Sequence, residues 1–308
     1  MRIRSYVLFL ALSMVAATQV HAQQRANAAT QATAAVGRAQ GATQTAQTTA
    51  VQTSETDQDL GEQQKLDFAT GGIGAYLIGS TGLQYTSNPS LSRGGGQGDM
   101  YFFAQGGAGI YPNLAGGLFL DAHVYQSVFQ YAHFSNLNFT AFNAGGGLDY
   151  VFSSLGGLTA SVHYEYERYL DGDTLDEFYV DNSIVVGLSK EFQINENHAI
   201  QVGWESAFSL TAYPSESRRN EHDFWLGWRW RIISPLELQT YYLLALYDYT
   251  NDNRFDATNN FGATLNYYFN SWARVSASGG FAVNGSTDAE FDYTVANVGG
   301  SLSLDIRF

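Results

Sequence analysis

From Val298 to Phe308 the chain alternates strictly between two kinds of residue. Val298, Gly300, Leu302, Leu304, Ile306 and Phe308 fall on one face, and Gly299, Ser301, Ser303, Asp305 and Arg307 on the other. A period of two predicts a β-strand with one apolar and one wet side, because successive strand side chains point to opposite faces. The same period recurs upstream. Phe224, Leu226, Trp228, Trp230 and Ile232 oppose Asp223, Trp225, Gly227, Arg229 and Arg231. Ile200, Val202, Trp204, Phe208 and Leu210 oppose Gln201, Glu205 and Ser209. Leu158, Ala160, Val162, Tyr164 and Tyr166 oppose Ser161, His163, Glu165 and Glu167, and Val275, Ala277, Phe281 and Val283 oppose Arg274, Ser276, Ser278 and Asn284.

Between Asp67 and Phe308 such stretches are separated by breaks of two kinds in turn. Short ones fall at 112–115, 153–156, 193–197, 234–235 and 270–271. Longer or more acidic ones fall at 89–98, 132–136, 171–177, 214–221, 251–254 and 285–291. The pattern predicts twelve strands, at 73–87, 99–111, 116–131, 137–152, 157–169, 178–192, 198–212, 222–233, 236–249, 255–269, 272–284 and 292–308.

The beginning of the chain differs. Residues 1–22 read as a secretory signal peptide: Arg2 and Arg4, an apolar run from Tyr6 to Ala17, then small residues at Val20-His21-Ala22 before a cleavage point. That run is shorter than the ~20 apolar residues of a bilayer-spanning helix, so a membrane location would require strands closed into a barrel. Residues 23–66 form a low-complexity Ala/Gln/Thr-rich periplasmic segment. It has too little apolar surface to fold alone, and is expected to be a disordered tether, or else a partly helical plug entering the barrel.

These features together resemble bacterial outer-membrane β-barrels of the porin-like kind. Such barrels have an even number of antiparallel strands and alternate short periplasmic turns with longer external loops. The fold expected is all-β: a single antiparallel transmembrane barrel over 67–308, of about 12 strands, behind the N-terminal tether. The resemblance further implies an outer-membrane location in a Gram-negative cell, with lipid around the barrel. It also implies recognition by the barrel-insertion machinery through the C-terminal strand ending in Phe308. Composition agrees, with 20 Tyr, 20 Phe and 32 Gly against 4 Pro. Tyr111, Trp204, Trp228, Tyr267 and Trp272, near strand ends, are candidate interface anchors.

Charge narrows the function. Removal of residues 1–22 would leave thirteen basic against 29 acidic side chains, a balance that argues against a nucleic-acid partner. The absence of cysteine excludes disulfides and thiolate chemistry. Candidate pore-lining residues on the polar faces are Asp121, His123, Asp149, His163, Glu165, Glu167, Asp181, Glu205, Arg229, Arg231, Glu237, Arg274, Asp305 and Arg307. In a pore, such residues set a field that sorts solutes. In a closed barrel they pair and fill the interior. Asp171, Asp173, Asp176 and Glu177 form an acidic loop close enough in sequence to bind calcium, but without the residue order of an EF-hand. His133-Phe134-Ser135-Asn136 resembles the His-x-Ser-Asn stretch of outer-membrane phospholipase A, over those four residues and no further. Gly94-Gly95-Gly96 and Gly145-Gly146-Gly147 lack the Lys-Ser/Thr of a phosphate-binding loop.

The expectation is therefore a channel for passive diffusion of small hydrophilic solutes, mildly cation-preferring, with no catalysis, cofactor or metal. A sealed structural or adhesive barrel, or a hydrolase built on His133 and Ser135, would be the alternatives.

Overall fold

The computed structural model describes residues 23–37 and 74–308. The signal segment, the remainder of the low-complexity stretch and the first residues assigned to the barrel, 67–73, lie outside these. One helix, α1, runs over residues 23–37. The strands are β1 (Ala75–Thr86), β2 (Asp99–Ile110), β3 (Asn113–Ala115), β4 (Leu118–Tyr131), β5 (Phe139–Phe152), β6 (Leu158–Asp171) and β7 (Glu177–Asn195). They continue as β8 (His198–Tyr213), β9 (Arg219–Ile233), β10 (Leu236–Tyr249), β11 (Arg254–Tyr268), β12 (Ala273–Ser286) and β13 (Tyr293–Arg307).

Every pairing is antiparallel, and the sheet closes on itself. β1 pairs with β2 on one side and with β13 on the other, while β2 pairs directly with β4. The three-residue β3 is an appendage of β4 within the turn after β2. Twelve strands thus complete the ring, as the alternation predicts. Closure leaves no unpaired edge, which is what a sheet in lipid requires. Among the described residues no helix is long and apolar enough to cross a membrane.

The outer face is apolar. Leu77, Leu83, Val162, Leu226, Phe261, Phe281, Val298 and Leu302 all point away from the lumen and are exposed. Trp228, Tyr267 and Trp272 are exposed there too, where aromatic side chains bridge the apolar band and the headgroups. Tyr111 does not join them. It is buried and stacked on Phe119 at a centroid distance of 5.0 Å, so it packs the inside of the barrel.

Three changes from the expected pattern have a visible physical cause. β9 begins at Arg219, because the Arg219 guanidinium lies over the rings of Tyr247 and Tyr249 on β10 and extends the pairing to Arg219–Tyr249. β7 runs on to Asn195, whose side-chain oxygen accepts the backbone N–H groups of Asn197 and His198 and closes a two-residue turn. The third change concerns residues 23–37. Of the two readings open for this segment, the structure has them helical and inside the barrel.

Candidate functional site

The strand registers fix which side chains face the lumen. Tyr76 lies opposite Arg307, Gly109 opposite Tyr76, His123 opposite Gly109, and Gly145 opposite His123. The same parity passes through Glu165, Ser183, Ser209 and the rest of the ring back to β13. All fourteen candidates from the sequence carry the inward parity. They do not all meet. Asp121, His123, Asp149, His163, Glu165, Glu167, Asp181, Glu205 and Arg229 line one cavity of about 620 Å³. Arg231, Glu237, Arg274, Asp305 and Arg307 lie towards the rim that carries Phe308 and the short turns. There Arg307 forks onto Asp305 with two bonds of 2.9 and 2.8 Å, and Gln239 donates to Glu237 at 2.6 Å.

The cavity is strongly acidic. Glu221 and Asp223 join the six carboxylates foreseen, and Arg219 joins Arg229. Part of this charge is compensated. His123 stands between Asp121, at 2.8 Å from Nδ1, and Glu165, at 3.3 Å from Nε2. His163 Nε2 lies 3.1 Å from Asp149, and Arg219 3.5 Å from Glu221. Arg229 is bound to Glu191 at 2.8 Å, outside the cavity-lining set. Other carboxylates are met by hydroxyls, which fill a lone pair and leave the charge standing. Tyr169 donates to Glu167 at 3.3 Å, and Ser209 donates to Asp181 at 2.5 Å.

Glycine makes room for these large side chains. Gly145 faces Glu165 across β5–β6, and a Cβ there would fall 2.3 Å from the carboxylate. Gly203 faces Trp225 across β8–β9, and a Cβ would fall 2.0 Å from the indole. Each side chain lies flat over its neighbour's bare backbone, which is the close approach that glycine in a strand allows.

Above the acidic cavity the inner wall is aromatic. Tyr101 and Phe103 on β2, Phe129 and Tyr131 on β4, Phe139 on β5, Tyr169 on β6 and Tyr179 on β7 are all buried and inward. They form a nearly continuous sheet of rings: Tyr101–Tyr131 at 5.1 Å, Phe129–Phe139 at 4.3 Å, Phe139–Tyr169 at 5.7 Å and Tyr169–Tyr179 at 4.8 Å. Against it sits α1, through Ala26, Ala29, Ala32 and Val36. Those positions lie on one helix face, and alanine lets the helix axis come close to the rings. On the flank of that face, Ala28 packs with Leu91, Ala282 and Val295.

Polar contacts fix the direction of α1. Gln23 donates to the Glu216 carbonyl at 2.9 Å, and Arg25 to the Asn138 carbonyl at 3.2 Å; both acceptors lie in the longer loops. Arg25 also pairs with Asp171 at 2.5 Å while its guanidinium lies over the Phe178 ring. Deeper in the lumen, Arg219 donates to Asn27 at 3.3 Å and Gln31 to Asn260 at 3.5 Å. Thr30, Thr33, Ala34 and Gly37 then form part of the cavity lining. The helix therefore enters with its N-terminal end at the mouth and its C-terminal end over the acidic cavity.

Two motifs from the sequence have other uses. His133 Nδ1 lies 2.9 Å from Asp99, and the same carboxylate accepts the backbone N–H of His133 and Phe134. The imidazole thus serves a loop clamp at the mouth, while Ser135 opens the helical turn Ser135–Leu137. Asp171 accepts the N–H groups of Asp173 and Thr174, both at 2.9 Å, besides holding Arg25. The loop acid best placed to lead a calcium site is committed to its own turn and to α1.

The fold has counterparts among solved structures. An outer membrane channel from Pseudomonas putida F1 superposes with a TM-score of 0.56 at 11% identity, covering 78% of this chain and 98% of that one. The NanC porin gives 0.45 at 11% identity over 74% and 98% of the two chains. The β domain of the Bordetella autotransporter BrkA gives 0.42 at 14% identity over 76% and 98%. No protein-family model matches the chain, and no curated protein matches it in sequence. The likeness to the Pseudomonas channel shows the fold: the chain is folded as a porin-like outer-membrane β-barrel.

Proposed function

We propose that the protein is an outer-membrane channel for passive diffusion of small hydrophilic solutes, with a preference for cations. The observation that carries this reading is the lumenal cavity, where eight carboxylates face Arg219, Arg229 and two imidazoles. A wall of one sign in a low-dielectric setting concentrates counter-ions and repels co-ions. Tyrosine and serine hydroxyls that satisfy Glu167 and Asp181 do not cancel their charge, so the paired histidines and arginines leave a negative excess. The reading involves no catalytic step and no cofactor. It includes export through residues 1–22, and insertion through β13 and Phe308.

The test is single-channel recording of residues 23–308 in a planar bilayer under a salt gradient. Stepwise conductance with a cation-selective reversal potential is expected. Glu167→Gln, Asp181→Asn and Glu205→Gln together should move that potential towards zero. Anion selectivity in the native protein would overturn the charge argument. A sealed structural barrel is the second reading, and the presence of α1 in the external half of the lumen favours it. Bilayers that stay silent even after the helix is driven from its seat would establish it.

A further inference from the structure

We propose that α1 is a resident gate of this channel, a helix that must leave its aromatic seat for solutes to pass, with the Arg25–Asp171 ion pair as its latch. The proposal rests on the channel reading above and adds its regulation.

Three observations meet here. First, α1 reaches across the lumen. One face lies on the rings carried by β2 to β7, while Asn27 and Gln31 reach Arg219 of β9 and Asn260 of β11, and Ala28 packs with Ala282 of β12 and Val295 of β13. Opposite walls of the barrel are thus in contact through the helix. Second, its attachments are uneven. Within the lumen they are small apolar side chains on rings, the Thr30 and Thr33 hydroxyls at the Tyr169 hydroxyl, and long hydrogen bonds from Arg219 to Asn27 and from Gln31 to Asn260. The short contact is at the mouth, where Arg25 meets Asp171 and both side chains keep about a quarter of their surface open to solvent, 25% and 21%. An ion pair in that position is the part that water, salt and charged solutes reach first. Third, the inner end of α1 is itself a wall of the acidic cavity, through Thr30, Thr33 and Gly37. Movement of the helix therefore joins that cavity to the external mouth.

The chain contains no cysteine, so the gate can be locked chemically in the whole protein. Gln31→Cys and Asn260→Cys, 3.5 Å apart at their side-chain ends in the native protein, would be bridged by a short, reducible bis-methanethiosulfonate linker. Conductance should vanish on bridging and return on reduction. Arg25→Glu, which removes an attraction and adds a like charge beside Asp171, should raise the open probability about tenfold. A third variant, Ala26→Asp with Ala29→Asp and Ala32→Asp, places carboxylates against the rings and should hold the channel open. If the bridged protein conducts as well as the reduced one, solutes pass beside a fixed helix, and the gate is overturned while the channel stands. If the triple aspartate variant, shown to be folded by its heat-modifiable mobility, is as silent as the bridged protein, the channel reading fails and the gate with it.

Discussion

Single residues at the mouth and in the lumen do structural work that the sequence shows unevenly. Asp99 is the clearest case. It is 2% exposed, and its carboxylate accepts from the backbone of Met100, His133 and Phe134 and from the His133 ring. Nothing in its neighbourhood, Gly98-Asp99-Met100, announces this, because apart from Met100 the donors lie more than thirty residues away. Asp99→Asn keeps the size and loses the charge, leaving several N–H groups poorly matched. The expected cost is about 1–3 kcal/mol, read as a lower unfolding midpoint in urea. The loop 132–138 should also become more open to protease than the loop 172–176, which does not depend on Asp99. An unchanged midpoint would show that the clamp carries no stability. The carboxylates of the cavity were legible for the opposite reason. Each sits on the polar phase of a period-two stretch, and parity alone assigns it to the lumen. Glu221 and Arg219 escaped because the acidic, arginine-rich run before Asp223 reads as loop, although they keep that strand's inward phase.

For the elements, legibility follows periodicity. The twelve strands could be read because lipid and water lie on opposite sides of the same sheet, so each strand must alternate. Helix α1 could not be settled in the same way. Its docking face is alanine and valine, and such a face becomes apolar enough to bury only when a ring surface is waiting for it. That surface was hidden too: in β2 and β5 both faces carry aromatics, and in β4 the inward rings face a mostly aliphatic outer set, so alternation in hydrophobicity is weak where the inner rings sit. The glycines of the sheet offer a test of how tightly these elements fit. Gly203 gives Trp225 its place against β8, with a virtual Cβ only 2.0 Å from the indole. Gly203→Val forces the ring off the strand and into the cavity, and overpacking of this kind costs about 1–3 kcal/mol. The expected readouts are a red shift of tryptophan emission, and a conductance below that of Gly227→Val, whose virtual Cβ meets only ordinary contacts at 3.6 Å. Equal effects at the two positions would mean that the cross-strand slot is not what constrains Trp225.

Across the whole molecule, the direction of α1 has a consequence of its own. Its first residues touch Glu216, Asn138 and Asp171, in or beside the longer loops. Its last residue, Gly37, shares a cavity with Tyr76, which lies one pair from the opposite rim, across from Arg307. Fifteen helical residues span about 22 Å, so the helix covers most of the distance from mouth to midplane with its N-terminal end outward. On the channel reading proposed above, the longer loops face outside, and that end of the helix lies outside with them. In the cysteine-free chain, Gln24→Cys should therefore react readily with a membrane-impermeant maleimide applied to intact cells. Gly37→Cys, placed where nothing lies within 4 Å of a new Cβ, should react far more slowly, because its route to the reagent is the lumen that α1 occupies. Arg25→Glu should bring the second rate towards the first by loosening the latch. Gly37→Cys reacting as fast as Gln24→Cys in the native background would mean that the helix neither fills the mouth nor points outward.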